Sequence, residues 1–427
     1  MAIPKLALIP SGVKAGKLYS VLPTNGDGDF TTTRNTVATR VNENGLIEEV
    51  ASNVPRLDYS DGGCPSLLLE PASTNLMPYS EDFSNASWSK TNVTLVSDNG
   101  ISPEGTSNAD LIYPNATDAN FTYVYDQVNN ASVSQYTISA FVKSSGVNVA
   151  WLYIQSVGSV GTVYFDLSDE SIQIVNGSSN TLTSEITSLG NGWYRISCTN
   201  VTPIALTSGH GIGISDAKGS RAITKNGTNG MLIFGAQLEQ NSYATSYIKT
   251  VGTIQSRSAD TANGAGNAST FNDSEGVLMV EISGLTIGGS TRVISLSGGS
   301  QSVNNIYINL NSSGGISCQV LTSGGNNSLS TTNINQEDTN KLLLKYKAND
   351  FALWVNGIEA DTNATLSSTP TGLNRINFDF GSGSYDFYGN TKQIQYFDSA
   401  LNDSDLEKLT SWTSFTAMAN GQSYTII

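Results

Sequence analysis

The strongest constraint on the fold is the spacing of the apolar residues, which alternate with polar residues over short runs. Such runs include residues 136–142 (YTISAFV), 150–155 (AWLYIQ) and 351–355 (FALWV). Gly, Asn, Ser and Asp separate the runs at intervals of roughly 8–15 residues, and no apolar stripe of helical period is found. The pattern predicts an all-β protein with two antiparallel β-sandwich (jelly-roll) domains after an irregular N-terminal segment. It argues against a parallel α/β fold, which needs long helices between its strands.

The length of 427 residues suits two or three domains, and shifts in composition indicate the boundaries. We predict an N-terminal segment (1–75), a jelly roll (76–255), a linker (256–272), a second sandwich (273–412) and a C-terminal tail (413–427). Because residues 1–75 contain few strand-length apolar runs, we expect them to gain order by packing against their neighbours, another subunit or a larger assembly. Residues 256–272 have almost no apolar content, which is typical of a linker. Residues 402–409 predict a short helix with Asn402 as its N-cap.

The charged residues and the single histidine exclude several classes of function. Lys plus Arg number 21 and Asp plus Glu number 36, so the formal charge of −15 argues against nucleic-acid binding. With one histidine, His210, the chain cannot supply a zinc site with several histidine ligands. A catalytic triad would also need His210, which lies in a stretch (208–211, SGHG) that is typical of a turn. The three cysteines lack metal-ligand spacing. We therefore predict no catalytic residue, no metal site and no cofactor.

The N-terminal residues and the cysteines also bear on the compartment in which the chain is made. The first residues (MAIPK) do not begin a long apolar signal segment, and no run of 18 apolar residues is present. An odd and sparse set of cysteines is typical of reduced thiols. We expect synthesis in a cytoplasm and no insertion into a membrane.

Three groups of motifs resemble a family of modular proteins, the virion proteins of tailed bacteriophages. Residues 40–48 (RVNENGLIE), 53–59 (NVPRLDY) and 67–71 (LLLEP) resemble a segment that recurs near the N-terminus of such proteins. Residues 192–197 (GWYRIS), 234–239 (FGAQLE) and 244–250 (ATSYIKT) are similar to the closing strands of carbohydrate-binding-module-like jelly rolls in phage proteins. Lys249 replaces the proline that is usual in the last motif. Residues 354–357 and 396–406 resemble laminin-G/concanavalin-like domains.

The resemblance implies a non-enzymatic tail-fibre, head-fibre or decoration subunit that is exposed on the virion after synthesis in the host bacterium. It implies that residues 1–75 serve in virion attachment or oligomerisation, with a homotrimer as the expected assembly. The expected partners are other virion proteins and a host cell-surface glycan. Two alternatives stay open: a purely structural capsid or tail cement protein that binds no glycan, and a glycan hydrolase, because concanavalin-like folds also carry glycanases.

Sugar sites need an aromatic face and several planar polar groups, and three aromatic residues fit this requirement. Because side chains alternate along a strand, Trp151 and Tyr153 share the face of residues 150–155 that is opposite to Leu152 and Ile154. The same alternation separates Trp354 from its apolar neighbours in residues 351–355. Trp151, Tyr153 and Trp354 are therefore the candidate carbohydrate-binding residues. Each ring could instead pack in the core of a sandwich.

Overall fold

A computed structural model describes residues 2–116, 119–156, 159–177, 181–207, 209–285, 291–299, 303–312, 314–332, 334–414, 416–417 and 421. Within these residues the protein is built almost entirely of antiparallel β-strands, as the alternating pattern predicts. The prediction of an all-β sandwich fold is confirmed. Most residues of the predicted C-terminal tail lie outside the described part of the chain.

The strands and the helix follow one another in chain order. The first group is β1 (Leu6–Leu8), β2 (Val13–Lys14), β3 (Lys17–Leu18), β4 (Phe30–Thr33), β5 (Ala38–Val41), β6 (Ile47–Val50), β7 (Arg56–Asp58), β8 (Ser66–Leu69), β9 (Ser73–Asn75), β10 (Ser89–Thr91), β11 (Val93–Ile101) and β12 (Ser107–Pro114). The second group is β13 (Ala119–Asn120), β14 (Thr122–Gln127), β15 (Asn130–Ser134), β16 (Thr137–Ser145), β17 (Val149–Ser156), β18 (Ser159–Asp166), β19 (Ser171–Val175), β20 (Leu182–Gly190), β21 (Trp193–Asn200), β22 (Ile204–Leu206), β23 (Gly209–Ser215), β24 (Ala222–Ile223) and β25 (Gly230–Glu239). The third group is β26 (Gln255–Arg257), β27 (Thr261–Ala265), β28 (Glu275–Gly284), β29 (Arg292–Ser297), β30 (Asn305–Leu310), β31 (Ile316–Thr322), β32 (Gly325–Thr331), β33 (Asn340–Lys347), β34 (Phe351–Val355), β35 (Ile358–Asn363), β36 (Arg375–Asn377), β37 (Gly389–Phe397) and α1 (Asp403–Thr410).

The chain folds into two compact units, and each contains its own sandwich. Unit 1 comprises residues 1–36, 50–71 and 259–427, and unit 2 comprises residues 37–49 and 72–258. In unit 1, sheet 1 has the order β35-β34-β33-β28-β37-β8-β7, with β1 also paired to β37. Sheet 2 has the order β2-β3-β4-β27-β36-β29-β30-β31-β32. Apolar side chains from both sheets, such as Val280, Leu344, Ile294 and Ile308, form one buried core.

Unit 2 is a second sandwich with a separate core. Sheet 3 has the order β10-β14-β23-β17-β18-β19, with β22 and β15 attached, and sheet 4 has the order β11-β12-β25-β16-β21-β20. Between them lie side chains such as Leu152, Ile154 and Ile212 from sheet 3, and Ile138 and Ile233 from sheet 4. Consecutive stretches of chain pass from one sheet to the other, which is the arrangement of a jelly roll. One face of sheet 3 is therefore buried in this core, and its other face points away from the core.

The N-terminal segment is not a separate irregular region, which differs from the predicted boundary at residue 75. Strands β1, β7 and β8 extend sheet 1, and β2, β3 and β4 extend sheet 2. Leu6, Leu18, Phe30 and Leu67 are fully buried in the core of unit 1. The apolar runs were too short to predict as strands because each strand here has only two to four residues. The expectation that this segment orders by packing against its neighbours agrees with this placement.

The predicted linker, residues 256–272, is also replaced by ordered structure. Strand β26 pairs with β9, and β27 pairs with β4 and β36. Arg257 and Asp260 are buried although they are charged. The low apolar content was misleading because this stretch is held by backbone pairing and by buried ion pairs, which a hydrophobic pattern does not reveal.

The short helix predicted at the C-terminal end of the second sandwich is confirmed. The side chain of Asn402 accepts a hydrogen bond from the backbone N–H of Asp405, and Asp403 and Asp405 lie in the first turn. Acidic groups are favourable there because the backbone N–H groups of the first turn lack partners within the helix. Leu406 is buried on the opposite side. Within the described residues, no helix has the length and the apolar character that crossing a membrane requires.

Candidate functional site

The candidate site is built on a strand of sheet 3 in which every second residue is glycine. In β23, Gly209, Gly211 and Gly213 alternate with His210 and Ile212. Since side chains alternate across a strand, the three glycines lie on the face opposite to the core. A Cβ atom on any of them would lie less than 3.0 Å from atoms of the neighbouring strands. Their backbone φ angles are not in the left-handed region, so lack of space explains these glycines.

Aromatic side chains from the two neighbouring strands occupy the space over the glycines. Tyr123 of β14 and Trp151 of β17 both pair with Gly213, and the rings of Tyr123 and Trp151 are 5.4 Å apart. One pair further along, Tyr125 and Tyr153 both pair with Gly211. The rings of Tyr123 and Tyr125 are stacked with their centres 5.3 Å apart. The glycine strand therefore lets two rows of rings form one continuous aromatic surface.

A single cation, Arg221, lies beside this surface. Its guanidinium carbon is 5.0 Å from the centre of the Trp151 ring and 5.1 Å from that of Phe121. Nη2 of Arg221 donates a hydrogen bond to Thr162 Oγ1 at 2.5 Å. Phe121 is 45% exposed, has a φ of 62° and donates its N–H to the Arg221 carbonyl. A bulky residue in the left-handed region is strained, and such strain is concentrated at functional sites.

Together these residues enclose an open cleft of about 320 Å³, which we call the aromatic cleft. Its lining consists of Phe121, Tyr123, Tyr125, Gln127, Trp151, Tyr153, Gln155, Val160, Gly209 and Arg221. The lining combines a stack of rings with amide, hydroxyl and guanidinium groups. Burial, the largest effect, raises the pKa of Tyr153 above its ordinary value, so the phenol is neutral at neutral pH. The described residues of the lining include no carboxylate, whereas glycoside hydrolysis uses a pair of acids.

Two of the three predicted sugar-binding residues lie in the aromatic cleft. Trp151 is 1% exposed and Tyr153 is 6% exposed, so they form its floor, whereas Tyr123 and Tyr125 are half-buried and face the opening. The residues predicted from the sequence did not include Tyr123, Tyr125 or Arg221. Two patterns could have indicated the two tyrosines. Tyr123 and Tyr125 alternate with Val124, which places both tyrosines on one strand face, and the alternate glycines of β23 leave space for rings on the neighbouring strands.

Trp354, the third predicted residue, is corrected to a core residue. Its side chain is 7% exposed and packs in an apolar cluster with Met279, Phe397 and Leu406. Leu406 belongs to α1, which covers this part of sheet 1. The alternation along β34 separated two apolar faces rather than a buried face from an exposed one, because a helix covers the second face.

His210 lies in strand β23 and not in the turn that its Ser-Gly-His-Gly context suggested. The side chain is fully buried; its Nδ1 accepts a hydrogen bond from the Gln155 N–H at 3.2 Å, and its Nε2 lies 3.1 Å from the Val128 carbonyl oxygen. Burial lowers the pKa of His210 to about 4. These contacts give the imidazole a structural role in holding β17 against β23.

We expect the His210 imidazole to stay neutral down to about pH 4, although an unfolded histidine titrates near pH 6.5. Below pH 6.5 the proton then binds preferentially to the unfolded state, so this group should reduce the stability of unit 2 by about 2 kcal/mol at pH 5. Because His210 is the only histidine, NMR can follow its ring protons without assignment. A midpoint near pH 6.5 in the folded protein would contradict the expectation.

A second group of polar residues explains the motifs at residues 234–239 and 244–250. Glu239 is fully buried and accepts hydrogen bonds from the Ser73 hydroxyl, from the Thr245 N–H at 3.0 Å and from the Gln237 amide at 2.7 Å. Arg195 donates to the carbonyl of Thr245 at 2.6 Å and lies over the ring of Phe141. These contacts give Arg195 and Glu239 a structural role in fixing strands within unit 2.

A larger cleft of about 410 Å³ lies in unit 1. Its described lining includes the carboxylates of Asp61, Glu337 and Asp338, and Lys392, whose ammonium is 3.1 Å from the Asp61 carboxylate. Trp412 supplies the aromatic ring of this lining. A cleft with one ring offers less surface for sugar stacking than the aromatic cleft does. No three His, Cys, Asp or Glu side chains among the described residues are placed to hold a metal ion.

No protein-family model matches the chain, and no curated protein matches it significantly. Several solved structures resemble parts of it, among them the following three. The CBM40 module of a Ruminococcus gnavus sialidase bound to α2,3-sialyllactose aligns with 35% of this chain and 94% of its own, at 17% identity and a TM-score of 0.30. The NanB sialidase from Streptococcus pneumoniae aligns with 33% of this chain and 24% of its own, at 18% identity and a TM-score of 0.29. A heptameric SAP-like pentraxin from Limulus polyphemus aligns with 33% of this chain and 71% of its own, at 12% identity and a TM-score of 0.27.

Proposed function

We propose that this protein is a non-enzymatic carbohydrate-binding protein and that the aromatic cleft of unit 2 holds the glycan. The observation that carries the proposal is the pair of half-buried tyrosine rings, Tyr123 and Tyr125, which are stacked at the opening of the cleft. The apolar face of a sugar ring packs against such rings, and planar amides and hydroxyls bind its hydroxyl groups. Gln127 and Gln155 supply the amides. A cleft of about 320 Å³ is at the small end for a ligand site, which suits one or two sugar rings.

We expect the variant Tyr125→Ala to bind glycan at least about fivefold more weakly than the unaltered protein, because an aromatic contact contributes about 1 kcal/mol beyond its buried area. Affinity is measured by calorimetry on the full chain, with a ligand first identified on a glycan array. Tyr113→Ala is the matched control, since Tyr113 is a half-buried tyrosine of the same unit that does not line the cleft. Equal losses in both variants, or no binding to any glycan on the array, would contradict the proposed function.

We further propose that the protein is a fibre or decoration subunit of a bacteriophage particle and attaches the particle to a host surface glycan. This part of the proposal rests on the motif resemblance at residues 40–71 and 192–250. Single clefts of this size bind weakly, and several copies on one particle, as in the homotrimer that we propose, would raise the overall affinity. Electron microscopy of labelled particles tests the location. Particles that lack the subunit but adsorb to cells normally would leave it a purely structural role.

A further inference from the structure

The charge environment of Arg221 points to a particular class of ligand for the aromatic cleft. Three arginines form described ion pairs with carboxylates. They are Arg34 with Asp260, Arg40 with Glu48, and Arg56 with both Glu70 and Asp260. None of the ion pairs within the described residues includes Arg221. Arg221 differs from a surface lysine without a described ion pair, such as Lys225, because it is half-buried and lines the aromatic cleft, whereas Lys225 is exposed and outside the lining.

The contacts of Arg221 with described residues are all with neutral groups. The rings of Phe121 and Trp151 lie within about 5 Å of its guanidinium carbon, and the Thr162 hydroxyl accepts one of its hydrogen bonds at 2.5 Å. These contacts orient the guanidinium, and no carboxylate among the described residues forms an ion pair with it. Because the side chain is half-buried against rings, water solvates the charge less well than at an open surface.

Guanidinium groups have a planar fork of N–H donors that matches the two oxygens of a carboxylate or a sulfate ester. An anionic group on the ligand would therefore supply the charged partner that the described residues do not provide. A neutral sugar would leave the guanidinium charge unpaired after the ligand displaced water from the cleft. None of the described lining residues carries a carboxylate that would repel such an anion.

We infer that the aromatic cleft binds an acidic glycan, in which a carboxylate or a sulfate ester pairs with Arg221 while the sugar ring packs on the tyrosines. The inference rests on the proposed function and specifies its ligand class. A carboxylate and a sulfate ester both present negatively charged oxygens to the guanidinium, and probes that carry one or the other distinguish them.

The test uses matched pairs of probes that differ in charge: trigalacturonate and its methyl ester, 3′-sialyllactose and lactose, and 6-sulfo-N-acetylglucosamine and N-acetylglucosamine. We expect the acidic member of at least one pair to bind the full chain about tenfold or more tightly than its neutral partner, as a charge-assisted hydrogen bond predicts. A preference confined to the third pair would assign the anion to a sulfate ester, and a preference in the first or second pair would assign it to a carboxylate.

Substitutions connect that preference to the residue. In Arg221→Gln the acidic and neutral members should bind alike, whereas Arg221→Lys should keep part of the preference. Lys225→Gln is the matched control, because Lys225 is an exposed cation of the same unit outside the lining and its loss changes the net charge equally. The NMR signal of His210 checks that each variant is folded.

The outcomes separate the inference from the proposed function. Neutral glycans that bind as tightly as acidic ones, with binding that Tyr125→Ala weakens, would overturn the inference and leave the proposed function intact. A preference for acidic glycans that persists in Arg221→Gln would also overturn it. If no probe of either kind binds, the glycan function and the inference fail together.

Discussion

The variant Asp260→Ala should be less stable in unit 1 by about 3–5 kcal/mol, which is the usual cost of removing one partner from a buried ion pair. Asp260 forms an ion pair with Arg34 at 3.0 Å and another with Arg56. Its carboxylate also accepts the backbone N–H of Glu70 at 3.0 Å. The side chains of Arg34, Arg56 and Asp260 are each at most 5% exposed. Removal of the carboxylate leaves two buried guanidinium groups that have lost a shared counter-charge.

Arg56 shows why the loss should be large. Burial alone would lower the pKa of Arg56, but the charges of Asp260 and Glu70 outweigh it and raise that pKa above its ordinary value. The Glu70 carboxylate is 2.5 Å from Nη1 of Arg56. In Asp260→Ala, Glu70 remains as a partner for Arg56. Because Arg56 keeps this counter-charge, we expect the loss to lie near the lower end of the range of about 3–5 kcal/mol.

Hydrogen-exchange mass spectrometry in increasing urea measures this change, because it reports on peptides of each unit separately. The control is Asp398→Ala, since the Asp398 carboxylate pairs with Lys5 at 3.3 Å while both side chains are substantially exposed. Surface pairs of this kind contribute about 0–1 kcal/mol. If the two variants differed by less than about 1 kcal/mol, the network would not have the role that we assign to it.

The variant Gly213→Ala should be less stable in unit 2 by about 3 kcal/mol, the upper part of the usual range for overpacking, and should lose glycan binding. Its new Cβ atom would lie less than 3.0 Å from Cε2, Cζ2 and Cη2 of Trp151. The ring of Trp151 cannot easily move away, because its Nε1 donates to the Ile214 carbonyl at 3.2 Å and Arg221 covers its face. The methyl group must therefore displace either the ring or the strand.

A second substitution tests whether the tryptophan ring is the cause. All three of the crowded atoms belong to the outer ring of the indole, which phenylalanine lacks. The double variant Gly213→Ala/Trp151→Phe should therefore be less destabilised than the sum of the two single variants. Gly12→Ala is the control, because its Cβ would be 3.4 Å from the nearest atom, an ordinary contact. Additive effects in the double variant would show that crowding against Trp151 is not the reason for the glycine.

Two of the residues that line the aromatic cleft, Trp151 and Tyr153, were among the residues that the sequence indicated, and their sugar-binding role stays a prediction. Period-two alternation placed Trp151 and Tyr153 on the same face of β17, and the structure puts both in the floor of the aromatic cleft. The same rule failed for Trp354, because α1 covers its side of the sheet. Arg221 gave no local signal: its position beside Trp151 depends on where the chain returns after β23.

Local chemistry in the sequence was sufficient for the all-β class, for many of the turns between strands and for α1 with its Asn402 cap, since each depends on residues a few positions apart. The tertiary structure decided which strands complete which sandwich, that Asp260 meets Arg56 across 204 positions, and that a strand of glycines allows tyrosines and a tryptophan to meet. The physical reason is that these contacts join residues far apart in the chain. Their free energy depends on the shape and the charge of the partner, and the alternation of apolar residues within one strand carries no information about that partner.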